Sequence, residues 1–137
     1  MAECNRSEDK PRVPTPIALG LTLCDLVIVE EGTRKQSLIG TPLRLKANRF
    51  PYIPPPFFAH SALADGFGPA TIHLLGIRLD NGEEIGRKER EVQFADRLQE
   101  LHVLFRIDHW VFPVAGAYEF SLYVDGECVT RRRVIIR

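Results

Sequence analysis

Apolar and polar residues alternate with a period of two along most of this chain, and the alternation is broken at roughly 8- to 14-residue intervals by turn-forming residues. The clearest stretch runs near the C-terminus. Tyr118, Phe120, Leu122 and Val124 alternate with Glu119, Ser121, Tyr123 and Asp125, which is the pattern of a half-buried strand. Within that strand the pattern is read as leaving at least one of Tyr118, Phe120 and Leu122 outside the core. Asp125-Gly126-Glu127 then closes a hairpin onto a last strand, Cys128 to Arg137. At the other end, Ile17 to Glu30 is apolar on both prospective faces. Leu19, Leu21, Leu23 and Val27 lie on one side with Asp25, and Cys24, Leu26 and Ile28 lie on the other. Two apolar faces predict a central strand buried from both sides. Glu31-Gly32-Thr33 turns the chain into a returning strand, Gln36 to Ala47, where Pro42 cannot donate to a ladder and so predicts an edge or a bulge.

The middle of the chain has the same organisation. Phe57 to Ala64 and Ala70 to Leu79 read as strands separated by Asp65-Gly66-Phe67-Gly68-Pro69. Asp80-Asn81-Gly82 is a hairpin signal, because Asn-Gly reaches positive φ at low cost. Glu84 to Phe94 is dense in charge and reads as an edge strand whose charges oppose edge-to-edge pairing. A short helix competes with it, since Phe94, Leu98, Leu101 and Phe105 recur at helical spacing. Leu101, Val103, Phe105 and Ile107 then alternate through a strand within Glu100 to Phe112, followed by the turn Pro113 to Gly116. Seven to eight short strands with regular turns predict an all-β antiparallel sandwich, and the lack of alternating long helices argues against a parallel α/β sheet.

Length adds that there is one domain. The chain has 137 residues, and a chain of this size buries about two-thirds of its unfolded surface. Residues 1–16, rich in charge and proline without apolar periodicity, read as a disordered leader, and residues 17–137 read as the sandwich domain. Eighteen Lys and Arg balance eighteen Asp and Glu, so the basic excess of a dedicated nucleic-acid binder is missing. No apolar run approaches the ~18 residues of a membrane span, and Met1 to Lys10 lacks the apolar stretch of a signal peptide; a cytoplasmic protein is expected. Cys4, Cys24 and Cys128 make neither a disulfide framework nor a Cys-x-x-Cys motif. Cys24 and Cys128 read as packing residues.

The segment Phe112-Pro113-Val114-Ala115-Gly116-Ala117-Tyr118-Glu119-Phe120, with Val124-Asp125-Gly126-Glu127 after it, resembles the closing hairpin of many immunoglobulin-like sandwiches. Together with Cys24-Asp25, Leu38-Ile39-Gly40 and Phe50-Pro51, residues 17 to 137 resemble a family of small bacterial proteins of unknown function. The resemblance implies an immunoglobulin-like fold and carries no catalytic assignment.

Chemistry-bearing motifs are sparse. No Gly-x-Ser-x-Gly, His-Glu-x-x-His or phosphate loop occurs, so neither catalytic residues nor a cofactor or metal site is expected. Among the histidines, His60 and His73 lie on adjacent predicted strands, and His102 and Asp108 share a strand face. The expected role is recognition of a protein partner, through loops, one exposed sheet face or an edge strand. Self-association as a structural subunit is the alternative, and an enzyme or metal-binding protein is the second. The proline-aromatic stretch carries Phe50, Tyr52, Phe57 and Phe58, held extended by Pro51 and Pro54-Pro55-Pro56; it either caps the sandwich or presents anchors to a partner. Trp110 is a second anchor candidate. In Arg131-Arg132-Arg133, strict alternation points Arg131 and Arg133 to one face and Arg132 to the other. Arg131 and Arg133 are therefore the basic candidates, with Glu119, Asp125 and Glu127 as prospective cross-strand partners.

Overall fold

Ten strands form among residues 15–137, the part of the chain that the computed structural model describes. They are β1 (Ile17–Ala18), β2 (Thr22–Cys24), β3 (Leu26–Val29), β4 (Gln36–Ile39), β5 (Phe57–Ala64), β6 (Gly68–Arg78), β7 (Glu84–Phe94), β8 (Leu101–Ile107), β9 (Gly116–Val124) and β10 (Glu127–Ile136). Fourteen of the sixteen residues expected to form a disordered leader lie outside the described residues. No helix forms among the described ones, and β7 is a strand throughout, paired with β6 from Gly68↔Phe94 to Ile77↔Glu84. The helical spacing of Phe94 and Leu98 is overridden by that ladder: Phe94 is buried, whereas Leu98 is 95% exposed in the following loop.

Among the described residues two four-stranded antiparallel sheets make the sandwich, and β3 and β4 form a separate two-stranded one. In one, β5 is central, with β8 on one edge and both β1 and β2 on the other. The second has the order β10-β9-β6-β7, so the charged strand β7 is an edge strand, as its composition predicts. Their inner faces meet in a single core. Leu23, Phe57, Ala59, Leu63, Val103 and Phe105 from the first sheet pack with Ile72, Leu74, Phe120, Leu122 and Val134 from the second. Phe57 meets Phe120 across the interface edge to face, with centroids 6.0 Å apart. Tyr118, Phe120, Leu122 and Val124 are all buried, so the expectation that one of them would leave the core is overturned. They share one face of β9, and that face is wholly covered by the opposing sheet.

The first apolar run departs from its expected course. Ala18↔Leu63 and Thr22↔His60 differ in register by one residue, so β1 and β2 are one strand interrupted by a bulge. Gly20 supplies the positive φ there, and its carbonyl accepts a hydrogen bond from Ser61 Oγ at 2.5 Å. At Asp25 the chain leaves β5 altogether. The Asp25 N–H donates to Ile39 O at 2.9 Å, and β3 pairs only with β4. The single strand expected over Ile17 to Glu30, buried on both faces, is therefore a bulged strand, β1 with β2, that packs on the core, and a separate ribbon strand, β3, that leaves it. The expected strand Gln36 to Ala47 ends at Ile39, because Gly40 turns the chain at φ +82 with the Asp25 carboxylate packed where a side chain would stand.

Residues 41–56 then run past the sandwich without joining either sheet as a strand. Leu45 forms a parallel bridge to Ile136, and Ala47 N–H donates to Arg137 O at 2.8 Å. Tyr52 and Phe112 exchange both backbone hydrogen bonds, at 2.9 and 2.8 Å.

Candidate functional site

The segment 42–46 lies beside the C-terminal end of β10, and the two enclose a groove of about 650 Å³. Its local pattern is an alternation. Leu43 and Leu45 turn inward against the core, which leaves Arg44 and Lys46 exposed. On the other wall Val134 is buried, while Arg132, Arg133 and Arg137 are exposed. The result is an apolar floor rimmed by five cationic side chains, Arg44, Lys46, Arg132, Arg133 and Arg137, and among the described residues no acidic side chain lines it. Among the described residues none of these five side chains forms a hydrogen bond or ion pair. None of the acids expected to face the arginine triplet pairs with a rim cation among the described residues. Glu119 stands opposite Arg133 in register and has a 3.4 Å contact from Ser121 Oγ. The Asp125 carboxylate caps Thr71 N–H at 2.9 Å, and Glu127 accepts from the Thr15 hydroxyl.

Sequence reading finds part of this groove. Arg133 lines it, and Arg131 does not. Arg132, assigned to the opposite face by strict alternation, joins Arg133 because β10 is an edge strand and the groove follows the edge, where side chains of both faces reach the same opening. Arg44 and Lys46 have no local signal connecting them to β10; the parallel bridge from Leu45 to Ile136 brings them there.

The proline-aromatic stretch takes the capping role. Phe57 is 1% exposed, and Phe50 and Tyr52 are half-buried against the core. Phe58 is half-buried on the outer side of β5, opposite Arg106 and Cys24. Trp110 is buried, stacked on Phe120 with centroids 5.6 Å apart and rings inclined by 6°. As partner anchors Phe57 and Trp110 are corrected to core residues, because their rings have no surface left to offer. The exposed apolar side chains lie instead on the β3–β4 hairpin. Leu26, Ile28 and Ile39 are 47%, 49% and 43% exposed, and register pairs Leu26 with Ile39 on one face of the ribbon. Sequence alone read this apolar run as core.

The histidines regroup as well. His60 and His73 lie in different sheets, so they do not meet. His60 Nε2 sits 3.0 Å from His102 Nδ1, across β5 and β8, and His102 Nε2 sits 3.0 Å from Glu100 Oε1. His73 pairs with Glu89 at 2.5 Å. His102 does not bond Asp108, which lies 3.6 Å from Arg106 and 3.4 Å from His109. Among the described residues no three metal-binding side chains converge.

Burial pushes the His60 pKa down, and the neighbouring His102 adds to this while Glu100 opposes it. Cys24, buried beneath the hairpin, has its thiol pKa raised by burial, which keeps it protonated and inert. The His60 shift has a consequence for stability. A base with a depressed folded-state pKa binds its proton less readily than in the unfolded chain, so folding is penalised as pH falls below the ordinary value of 6.5. Between pH 7.5 and pH 5 the Tm of the wild type is expected to fall further than that of His60→Gln. Parallel Tm-against-pH curves for the two proteins would remove this contribution.

The structure thus defines an all-β protein of two packed four-stranded antiparallel sheets, with a basic, apolar-floored groove on one edge and a separate, exposed apolar hairpin. No helix among the described residues is long and apolar enough to cross a membrane. The chain belongs to DUF6941, a family of unknown function, which it matches over residues 19–137. No curated protein matches the sequence.

Proposed function

We propose that this protein is a non-catalytic, immunoglobulin-like β-sandwich that recognises another protein in the cytoplasm. The observation that carries the reading is the β3–β4 hairpin. Among the described residues its two strands pair only with each other, and its apolar side chains Leu26, Ile28, Val29 and Ile39 remain exposed. A two-stranded ribbon is marginal in water by itself, and contiguous exposed apolar surface marks interaction sites. For the immunoglobulin-like reading, the support is Tyr118, which opens β9. Its hydroxyl donates to Val114 O at 2.6 Å and accepts from Val114 N–H at 3.3 Å, a tyrosine tied back to the turn before its strand as at the corner of immunoglobulin domains.

Capture of tagged protein from its native cells tests the reading, with Ile28→Ser/Ile39→Ser in parallel. Both substituted positions are exposed, so Tm is expected to change by no more than about 2–4 °C, as for surface substitutions. A partner recovered by the wild type and lost by the variant is the expected result. Equal recovery by both would move the contact away from the hairpin.

The same hairpin favours a second reading, self-association, because the apolar face of one ribbon is a suitable cover for that of another copy. Sedimentation at micromolar concentration separates the two. A dimer abolished by Ile28→Ser/Ile39→Ser supports self-association, and a wild-type monomer at all concentrations rules it out.

A further inference from the structure

The groove between residues 42–46 and β10 asks for a ligand of its own, independent of the hairpin. We propose that it binds a small organic anion: an apolar body carrying a phosphate group or two or more carboxylates. Three observations define that chemistry. First, the volume of about 650 Å³ is that of a small-molecule site. Second, the floor is formed by Leu43, Leu45 and Val134, so an ion without an apolar body would leave it wet. Third, the five cationic side chains of the rim have no acidic side chain among them and no ion-pair partner among the described residues. The chain as a whole has zero net charge, so this is local segregation of like charge. Bringing like charges together without counter-charge is unfavourable, and an anion between the two walls relieves it. Four of the five are arginines, whose planar donor pairs match carboxylate and phosphate oxygens two at a time.

The same residues argue against two larger classes of ligand. Among the described residues no aromatic side chain lines the groove, so they offer no platform on which nucleic-acid bases would stack. An acidic peptide adding a strand at this place would need the end of the β10 edge. That edge is already engaged by Leu45 opposite Ile136 and by Ala47 bonded to Arg137 O. Side-chain recognition of a compact ligand remains open where main-chain recognition does not.

Calorimetric titration of the full chain tests this, using butyl phosphate, octyl phosphate below its aggregation concentration, decanedioate, inorganic phosphate and polyglutamate. Octyl phosphate or decanedioate is expected to bind saturably with one site. Octyl phosphate should bind at least ~10-fold more tightly than butyl phosphate, since each buried methylene contributes roughly fourfold in affinity. Arg44→Glu/Arg132→Glu should weaken binding by at least ~10-fold while retaining the wild-type circular dichroism and Tm. Arg34→Glu, in the distant turn of the β3–β4 hairpin, should bind as the wild type does. Four results would each overturn the proposal. These are no saturable binding of either amphipathic anion, equal binding by the charge-reversed variant, inorganic phosphate binding as tightly as octyl phosphate, or polyglutamate outcompeting both. None of them bears on the hairpin, whose test uses other residues and another readout.

Discussion

Gly86→Ala is expected to destabilise the protein by about 2–4 kcal/mol, although it adds one methyl group to a strand. Gly76 and Gly86 are register partners in the β6–β7 ladder, and the Trp110 indole lies across both. A Cβ on Gly76 would come within 2.7 Å of Trp110 Cζ3, and one on Gly86 would stand closer still to Cδ2 and Cε2. The other face of the indole is stacked on Phe120, so the ring has no direction in which to retreat. Gly86 does not have a positive φ, so alanine brings no backbone strain and the cost is steric. Trp110→Ala removes the ring and leaves a cavity, at about 3–5 kcal/mol. The informative measurement is the double-mutant cycle by chemical denaturation. In the Trp110→Ala background, Gly86→Ala should be close to neutral, because the atom it clashes with is gone. An equal cost in both backgrounds would mean that the glycine pair serves the ladder rather than the indole.

Phe120→Ala should cost about 3–5 kcal/mol, and its neighbour Ser121→Ala no more than about 0.5 kcal/mol. Phe120 has no exposed surface and holds two rings at once, Trp110 stacked and Phe57 edge-on. Ser121 is also buried, yet its hydroxyl makes only a 3.4 Å contact with Glu119, so removing it breaks no strong hydrogen bond. Comparable losses for the two variants would contradict the register that puts Phe120 opposite Gly76 and Arg132.

Much of this fold is written in local chemistry. Asn81-Gly82 and Asp125-Gly126 close hairpins where expected, and β5 and β7 have the bounds that the flanking turns suggest, because positive φ at such residues is a property of the residues themselves. What is not local was not legible. Leu26 to Val29 has the same apolar composition whether it is buried or projects on a ribbon, and the departure at Asp25 depends on a hydrogen bond to Ile39. His60 and His102 meet only once β8 is placed beside β5. The groove has the same character. Arg44 and Lys46 gain their meaning from β10, which lies far along the chain, and Arg132 and Arg133, on opposite faces as alternation predicts, reach one opening only because β10 is the edge of its sheet.

The charged outer edge of β7 bears on how copies of this protein can assemble. Growth of the sheet from that edge would lay Glu84, Arg87, Glu89 and Glu91 against a neighbour's strand, and the opposite outer strand, β10, already has its end engaged by the segment through Leu45. Strand-by-strand addition therefore finds neither side of that sheet open to it along its whole length. A hairpin meeting its own copy is a different geometry: the same patch serves both subunits, and the contact is complete at two. In the self-association reading, apolar exposure placed on such a ribbon gives a closed pair rather than an open filament.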